Sequence, residues 1–135
     1  MAFTAAAVLG WEVLLTRLAS LRYHFHFGHL AVSNGLLGIG AAASWLGIVR
    51  HRWRDQPRLW LTRALVAFLG SLFACIAVIY ALPVHRGTMD GTGTLSFAVF
   101  VLASLIPFIT GGLVLGLLLC GWPRQTARLY GIDLI

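Results

Sequence analysis

The sequence predicts an all-α membrane protein: one domain over residues 1–135, folded as a four-transmembrane-helix bundle. Hydrophobic residues make up 59% of the chain, charged residues only 10%, and the mean hydropathy is +0.87. These values are far from those of a soluble domain. The apolar residues form continuous runs, which favour helices over the alternating strands of a membrane β-barrel. A crossing takes about 20 apolar residues, so the chain holds four crossings and their connections.

Four apolar runs define the predicted helices, and polar or turn-forming residues separate them. They cover residues 3–21, 27–49, 61–84 and 95–120. No basic segment precedes the first run, so we expect it to be retained as a helix and not cleaved as a signal peptide. Residues 121–135 form a tail with room for a short or incomplete fifth helix.

The basic residues predict the topology. All ten are arginines, and five lie between the second and third runs: Arg50, Arg52, Arg54, Arg58 and Arg63. Arginine-rich connections stay in the cytoplasm, which predicts both termini inside. We expect the membrane itself to be a bacterial inner membrane. Trp45, Trp53, Trp60 and Trp122 lie near the cytoplasmic helix ends, where an indole keeps its N–H hydrated.

The net charge of +6 does not indicate a nucleic-acid partner, because the arginines lie in short connections beside membrane segments. We expect Arg50, Arg52, Arg54 and Arg58 to contact anionic lipid head groups. The alternative is a docking patch for an acidic protein partner.

Small residues at helical spacing predict where the helices pack, since close backbone approach drives helix association in lipid. Three stripes have this spacing: Gly40, Ser44 and Gly47; Gly70, Ala74, Ala77 and Ala81; and Gly112, Gly116 and Cys120. Gly112 and Gly116 form a GxxxG pair that serves packing within the chain or, alternatively, dimerisation. Cys75 and Cys120 are interpreted as small packing residues without disulfide chemistry. Pro107 predicts a bend in the last helix.

Glu12, Thr16 and Ser20 follow one another every four residues, which puts them in one polar stripe facing the bundle interior. Arg17 lies about 140° around the helix from Glu12, so the two do not form a simple pair. Each needs another partner, and the candidates are Asn34, Tyr80, Tyr130 and Asp133, or lipid phosphate for Arg17. Glu12 is either a protonatable group in a transport path or ligand pocket, or a carboxyl that fixes helix packing.

Three histidines, His24, His26 and His29, form an H-x-H-x-x-H pattern where the first connection meets the second helix. Grouped imidazoles can bind a metal or, singly, haem or a chlorin. No acidic neighbour is available to orient them, so we expect no cofactor, with His ligation as the alternative.

Several segments resemble the membrane region of bacterial membrane-anchored spermidine synthase-like proteins. They are residues 11–17 (WEVLLTR), 23–25 (YHF), 36–40 (LLGIG), 105–108 (LIPF), 111–113 (GGL) and 128–135 (RLYGIDLI). The resemblance implies that the last segment opens a further membrane helix containing Asp133. In that family a cytosolic Rossmann-like domain that binds S-adenosylmethionine or its decarboxylated form follows. The sequence ends at Ile135 without nucleotide-binding glycines or catalytic aspartates, so aminopropyl transfer is not carried over.

No phosphate-binding glycine loop, nucleophile elbow, HExxH or CxxC motif is present, so we expect no catalysis by this chain. The favoured function is a non-catalytic accessory subunit or scaffold that packs against other membrane protein subunits. One alternative is a small binding or transport module that uses Glu12 or the histidines. Another is the anchor fragment of a split spermidine synthase-like protein.

Overall fold

A computed structural model describes residues 2–23, 28–81 and 91–121 of the chain. It contains helices α1 (Ala2–Tyr23), α2 (Gly28–Ile48), α3 (Arg50–Asp55), α4 (Pro57–Ala81) and α5 (Gly91–Gly121). No strand occurs in these residues. Gly121 ends α5, and the rest of the predicted tail, with its possible short or incomplete fifth helix, lies outside the described residues.

The predicted all-α class and its four membrane-length helices are confirmed. The candidate spans are Phe3–Leu21, His29–Ile48, Pro57–Ala81 and Thr94–Gly121. The third begins at Pro57 and not at residue 61, because the fixed φ angle of proline suits the first position of a helix. The predicted end of this helix at residue 84 lies outside the described residues.

The short helix α3 is a departure from the prediction, which treats the segment after the second span as a connection without structure. Its six residues, RHRWRD, carry five polar side chains and Trp53, and only Trp53 is buried. Burial of this indole stabilises a turn of helix that its exposed charged residues would not form alone.

Helix α5 lies at the centre of the bundle and packs against α2, α4 and α1. Within an 18-residue apolar stretch of each membrane span, 44% of the residues of α5 are buried, against 22 to 28% in the other three helices. A core cluster follows this helix through Phe100, Phe108 and Val114. α5 is therefore the main packing partner of α2 and α4, whereas α1 packs more extensively against α2 than against α5.

The contact between α2 and α5 depends on glycines from both helices. A Cβ on Gly38 would lie 2.5 Å from the Cβ of Phe108 and 2.9 Å from its backbone carbon. A Cβ on Gly112 would lie 3.0 Å from the Cα of Ile39, and one on Gly116 would overlap the side chain of Leu46. Gly112 and Gly116 thus lie at a contact within the chain.

The small-residue stripe of α2 was predicted to pack against other helices, but in this bundle it lies on the side of α2 that faces outward. Gly40, Ser44 and Gly47 are exposed, and a Cβ on either glycine would meet nothing within 4 Å. The face that contacts α5 carries Ala31, Gly35, Gly38, Ala42 and Leu46, all of them buried. At about 100° per residue the two faces lie on opposite sides of the helix.

The same correction applies to α4. Gly70, Ala74, Ala77 and Ala81 are exposed, while Phe68, Cys75 and Ile79 are buried. Large apolar side chains and a buried thiol therefore form the contact with α5, in place of the small residues. Cys120, predicted to pack at the end of α5, is exposed.

Candidate functional site

Glu12 lies halfway along the first span, Phe3–Leu21. It is the only carboxylate within the spans that the structure describes. An ionisable side chain at this depth is costly to place in hydrocarbon, so its surroundings are the first candidate for a functional site.

The carboxylate lies where α1, α2 and α5 approach one another. Its Oε2 is 3.8 Å from the point that a Cβ on Gly35 would occupy, and Cε1 of Phe108 is 3.6 Å from the same point. Because Gly35 has no side chain, the half-buried Glu12 reaches the surface of α2 beside an aromatic ring. The arrangement puts an acceptor between three helices.

The hydroxyls of the predicted polar stripe donate to their own helix. Thr16 Oγ1 donates to the carbonyl of Glu12 at 2.8 Å, and Ser20 Oγ donates to the carbonyl of Thr16 at 2.8 Å. Bonds of this type satisfy the hydroxyl within its helix. They leave the carboxylate of Glu12 to interact with other groups.

A recess on the surface of α1 gives access to both charges of the span. It is lined by Leu9, Glu12, Val13, Thr16 and Arg17. Arg17 is exposed, as expected for a long cationic side chain that extends toward water or lipid phosphate. A carboxylate and a guanidinium in one recess can bind a proton, a cation or a zwitterionic group.

Asn34, a proposed partner of Glu12, is instead bound to α5. Its Nδ2 donates to the carbonyl of Val101 at 3.1 Å and to Ser104 Oγ at 2.8 Å. Ser104 Oγ in turn donates to the carbonyl of Val101 at 2.8 Å. The amide thus joins α2 to α5.

The remaining candidate partners are not placed at Glu12 by the described structure. Tyr80 on α4 is 81% exposed. Tyr130 and Asp133 lie outside the described residues.

A second polar contact joins α4 to α5, three residues beyond Pro107. The oxygens of Ser71 and Thr110 are 2.9 Å apart, and Thr110 Oγ1 also donates to the carbonyls of Ile106 and Pro107. α5 continues as one helix through Pro107, which is buried. The predicted bend stays a prediction.

Sequence reasoning missed both interhelical contacts. The available signal was the position of Ser104 and Thr110, each three residues from Pro107 on an otherwise apolar helix. Polar side chains in such a helix hydrogen-bond across to a neighbour when one is in reach. Of their partners, Asn34 was assigned to Glu12 or Arg17 and not to Ser104, and Ser71 had no distinguishing pattern in the sequence.

Trp11 carries a further unpredicted feature. The side chain is 6% exposed, and its Nε1 is buried without a hydrogen-bond acceptor among the described residues. An unpaired buried N–H is destabilising in a bundle of this kind.

The histidine pattern is only partly described. His29 lies in the first turn of α2 and is exposed, whereas His24 and His26 lie outside the described residues. Within the described part, no group of three His, Cys, Asp or Glu side chains is placed to hold a metal ion.

The arginine-rich connection forms a second polar surface at the end of the bundle. Arg50, Arg52, Arg54 and Arg58 are all exposed. Between them Trp53 is buried, and its Nε1 donates to the carbonyl of Leu46 at 3.1 Å. This indole N–H, predicted to be hydrated, is therefore bonded within the protein. Trp45 is exposed, and Trp122 lies outside the described residues.

The chain was compared with protein-family models, with curated proteins and with solved structures, and none of them matches it.

Proposed function

We propose that this protein is a non-catalytic integral membrane subunit or scaffold that packs against other membrane protein subunits. The observation that carries the proposal is the exposure of two faces of small residues, one on α2 and one on α4. Gly40, Ser44 and Gly47 form the first. Gly70, Ala74, Ala77 and Ala81 form the second.

Both faces have the features of helix-packing surfaces in lipid. A Cβ placed on Gly40, Gly47 or Gly70 would have nothing within 4 Å, so a neighbouring helix can approach the backbone closely. Within the chain, α2 packs against α5 in this way, because Gly38 and Gly112 allow the two backbones to approach closely. The two exposed faces point away from α5 and are therefore open to other subunits.

We place the protein in the bacterial inner membrane with both termini in the cytoplasm. The support is the arginine-rich connection between the second and third spans, whose guanidinium groups are exposed. The positive-inside rule assigns such a connection to the cytoplasm. An even number of crossings then brings both termini to the same side.

The test is the mass of the particle extracted from native membranes in a mild detergent. We expect an assembly clearly larger than the 14.7 kDa chain, with its other components identified by mass spectrometry. Gly40→Leu combined with Gly47→Leu should release the chain from it, because the added side chains separate the helices.

Ala41→Leu is the matched control for this experiment. Ala41 is exposed on the same helix but lies about 100° away from Gly40. It should leave the assembly intact, and all variants should keep the helix content of the natural chain. A lone chain in the mildest extraction, or an assembly unaffected by the double variant, would contradict the proposal.

The recess at Glu12 supports a second candidate function, a small binding or transport module. A half-buried carboxylate at mid-span, open to a recess that also contains Arg17, is suited to carry a proton or hold a cation. The chain would be reconstituted into liposomes that contain a pH-sensitive dye, and an imposed pH gradient would drive proton flux.

Glu12→Gln should abolish this flux if the carboxylate carries the proton. Ser33→Ala, an exposed position on α2 away from Glu12, is the control. Equal flux through the natural chain and Glu12→Gln, or no flux through either, would leave Glu12 a packing residue.

A further inference from the structure

We propose that α3 and the first turn of α4 form a phosphate-binding arginine turn for anionic lipids, with Trp53 as its positioning residue. The arginine turn comprises Arg50, Arg52, Arg54 and Arg58. The inference is independent of the proposed subunit role.

The turn is fixed to the end of the bundle by its one buried side chain. Trp53 is 7% exposed and packs in a cluster with Leu46 and Leu117. Its indole N–H donates to the carbonyl of Leu46 in the last turn of α2. In addition, the amide of Arg52 donates to the carbonyl of Val49 at 3.0 Å. The arginines are thus held in place by an anchored turn of helix.

The position of the turn puts its guanidinium groups at the depth of the lipid phosphates. One span ends at Ile48 and the next begins at Pro57, so only residues 49–56 connect them. With Trp53 held against the bundle, this short connection cannot extend far into solvent. Its exposed arginine side chains therefore lie at the surface of the membrane.

The arrangement of side chains around α3 favours lipid over a soluble acidic protein. At about 100° per residue, His51 and Asp55 lie roughly 160° from Trp53, on the side of the helix that faces away from the bundle. A protein that approaches along the bundle axis would meet a carboxylate and an imidazole there. Arg50 and Arg54 lie within about 40° of each other on one flank, and Arg52 lies on the other. The flanks face the surrounding head groups.

The chemistry of arginine suits this ligand. A guanidinium stays protonated and its forked donors bind phosphate oxygens bidentately. Asp55 is the only carboxylate between Arg50 and Arg63 in the sequence, and it lies on the outward side. The flanks therefore offer cationic donors to the phosphodiester of a lipid such as phosphatidylglycerol.

Lipid selectivity tests the proposal. The full chain would be reconstituted into phosphatidylcholine vesicles with a trace of spin-labelled phosphatidylglycerol or, in parallel, spin-labelled phosphatidylcholine. The ratio of the two motionally restricted fractions measures preference for the anionic lipid. We expect Arg54→Gln to lower the affinity of the site for phosphatidylglycerol about fivefold, and Arg50→Gln with Arg54→Gln to lower it further.

Two control variants separate a fixed site from net charge. Trp53→Leu keeps every charge but removes the anchor, and we expect it to lower selectivity as well. Arg63→Gln removes one exposed charge from α4, outside the arginine turn, and should have a smaller effect than Arg54→Gln. Far-UV circular dichroism checks that each variant is folded.

Two results would overturn the proposal. One is an equal loss of lipid selectivity in Arg54→Gln and Arg63→Gln, with no loss of selectivity in Trp53→Leu. This result would show that net charge alone attracts the lipid. The other is unchanged lipid selectivity in the double arginine variant together with loss of a co-purifying acidic protein, which would make the turn a protein-docking patch.

Discussion

At the scale of single residues, the presence or absence of one carbon atom decides where the helices can approach. Gly38 and Gly40 are neighbours on α2, yet a Cβ would collide with the backbone of α5 at Gly38 and meet nothing at Gly40. Composition cannot separate the two glycines. Their different roles depend on the direction in which each points.

We expect Gly38→Ala to destabilise the bundle by about 1–3 kcal/mol, the usual cost of an overpacked contact. The collision involves backbone atoms of Phe108 and Ile109, which cannot move aside as a flexible side chain can. Gly40→Ala should be neutral or slightly stabilising, because alanine favours a helix and nothing obstructs it. The stability of both variants is measured by unfolding in increasing mole fractions of dodecyl sulfate, with circular dichroism as the signal. Equal stability of the two variants would contradict the α2–α5 contact.

Asn34 is the other residue whose role depends on its direction. Asn34→Leu should destabilise the bundle by about 0.6–1.7 kcal/mol, which runs from the average to the largest contribution of interhelical hydrogen bonds in membranes. The variant leaves Ser104 bonded only within α5. The same unfolding assay applies, with Ser33→Ala as the neighbouring exposed control. No difference between them would show that the amide contributes nothing to the α2–α5 contact.

At the scale of elements, α5 organises the bundle because it offers a different contact to each neighbour. Toward α2 it presents Gly112, Gly116 and Ser104, toward α4 it presents Thr110, and Gly111 lies beside Val8 of α1 and Phe68 of α4. The polar contacts flank Pro107, so both lie near the middle of the last span. They fix the register of α2 and α4 along α5.

The two glycines of the GxxxG pair should differ in their tolerance of alanine. At Gly112 the new Cβ would lie 3.0 Å from the Cα of Ile39 and 2.9 Å from the Cβ of Ala42, so the two helices would have to separate. At Gly116 it would meet the terminal methyl of Leu46, a flexible side chain that can change rotamer. We expect Gly112→Ala to lower the free energy of unfolding by about 1–3 kcal/mol and Gly116→Ala by less. The reverse order would place the closest α2–α5 approach elsewhere.

At the scale of the whole molecule, one short, arginine-rich turn joins the second of the four membrane-length helices to the third, on one side of the bundle. If both termini are cytoplasmic, this turn faces the cytoplasm too. Single cysteines, in a chain whose Cys75 and Cys120 are replaced by Ser, allow this orientation to be measured. Arg52→Cys should not react with a membrane-impermeant maleimide in intact spheroplasts, and it should react in inner-membrane vesicles that are inverted or opened. Labelling in intact spheroplasts would show that the turn faces away from the cytoplasm.

The fold class followed from the sequence because composition and run length alone decide whether helices cross a membrane. The spans were predicted to within a few residues at most ends. The short helix α3 was missed, since its formation depends on Trp53 reaching Leu46 and Leu117 at the end of the bundle. For the site, the sequence identified Glu12 as an intramembrane carboxylate, but not Gly35 and Phe108 beside it.

Composition, run length and the positions of the charged residues were enough to derive a bundle of apolar helices with a carboxylate at mid-span and arginines at one connection. Which face of each helix is inside became known from the packed bundle. The interior of the bundle and the surrounding lipid are both apolar, so hydropathy does not distinguish them along a span. Small residues occur on both sides of α2, and their contacts alone separate the face that meets α5 from the face left open.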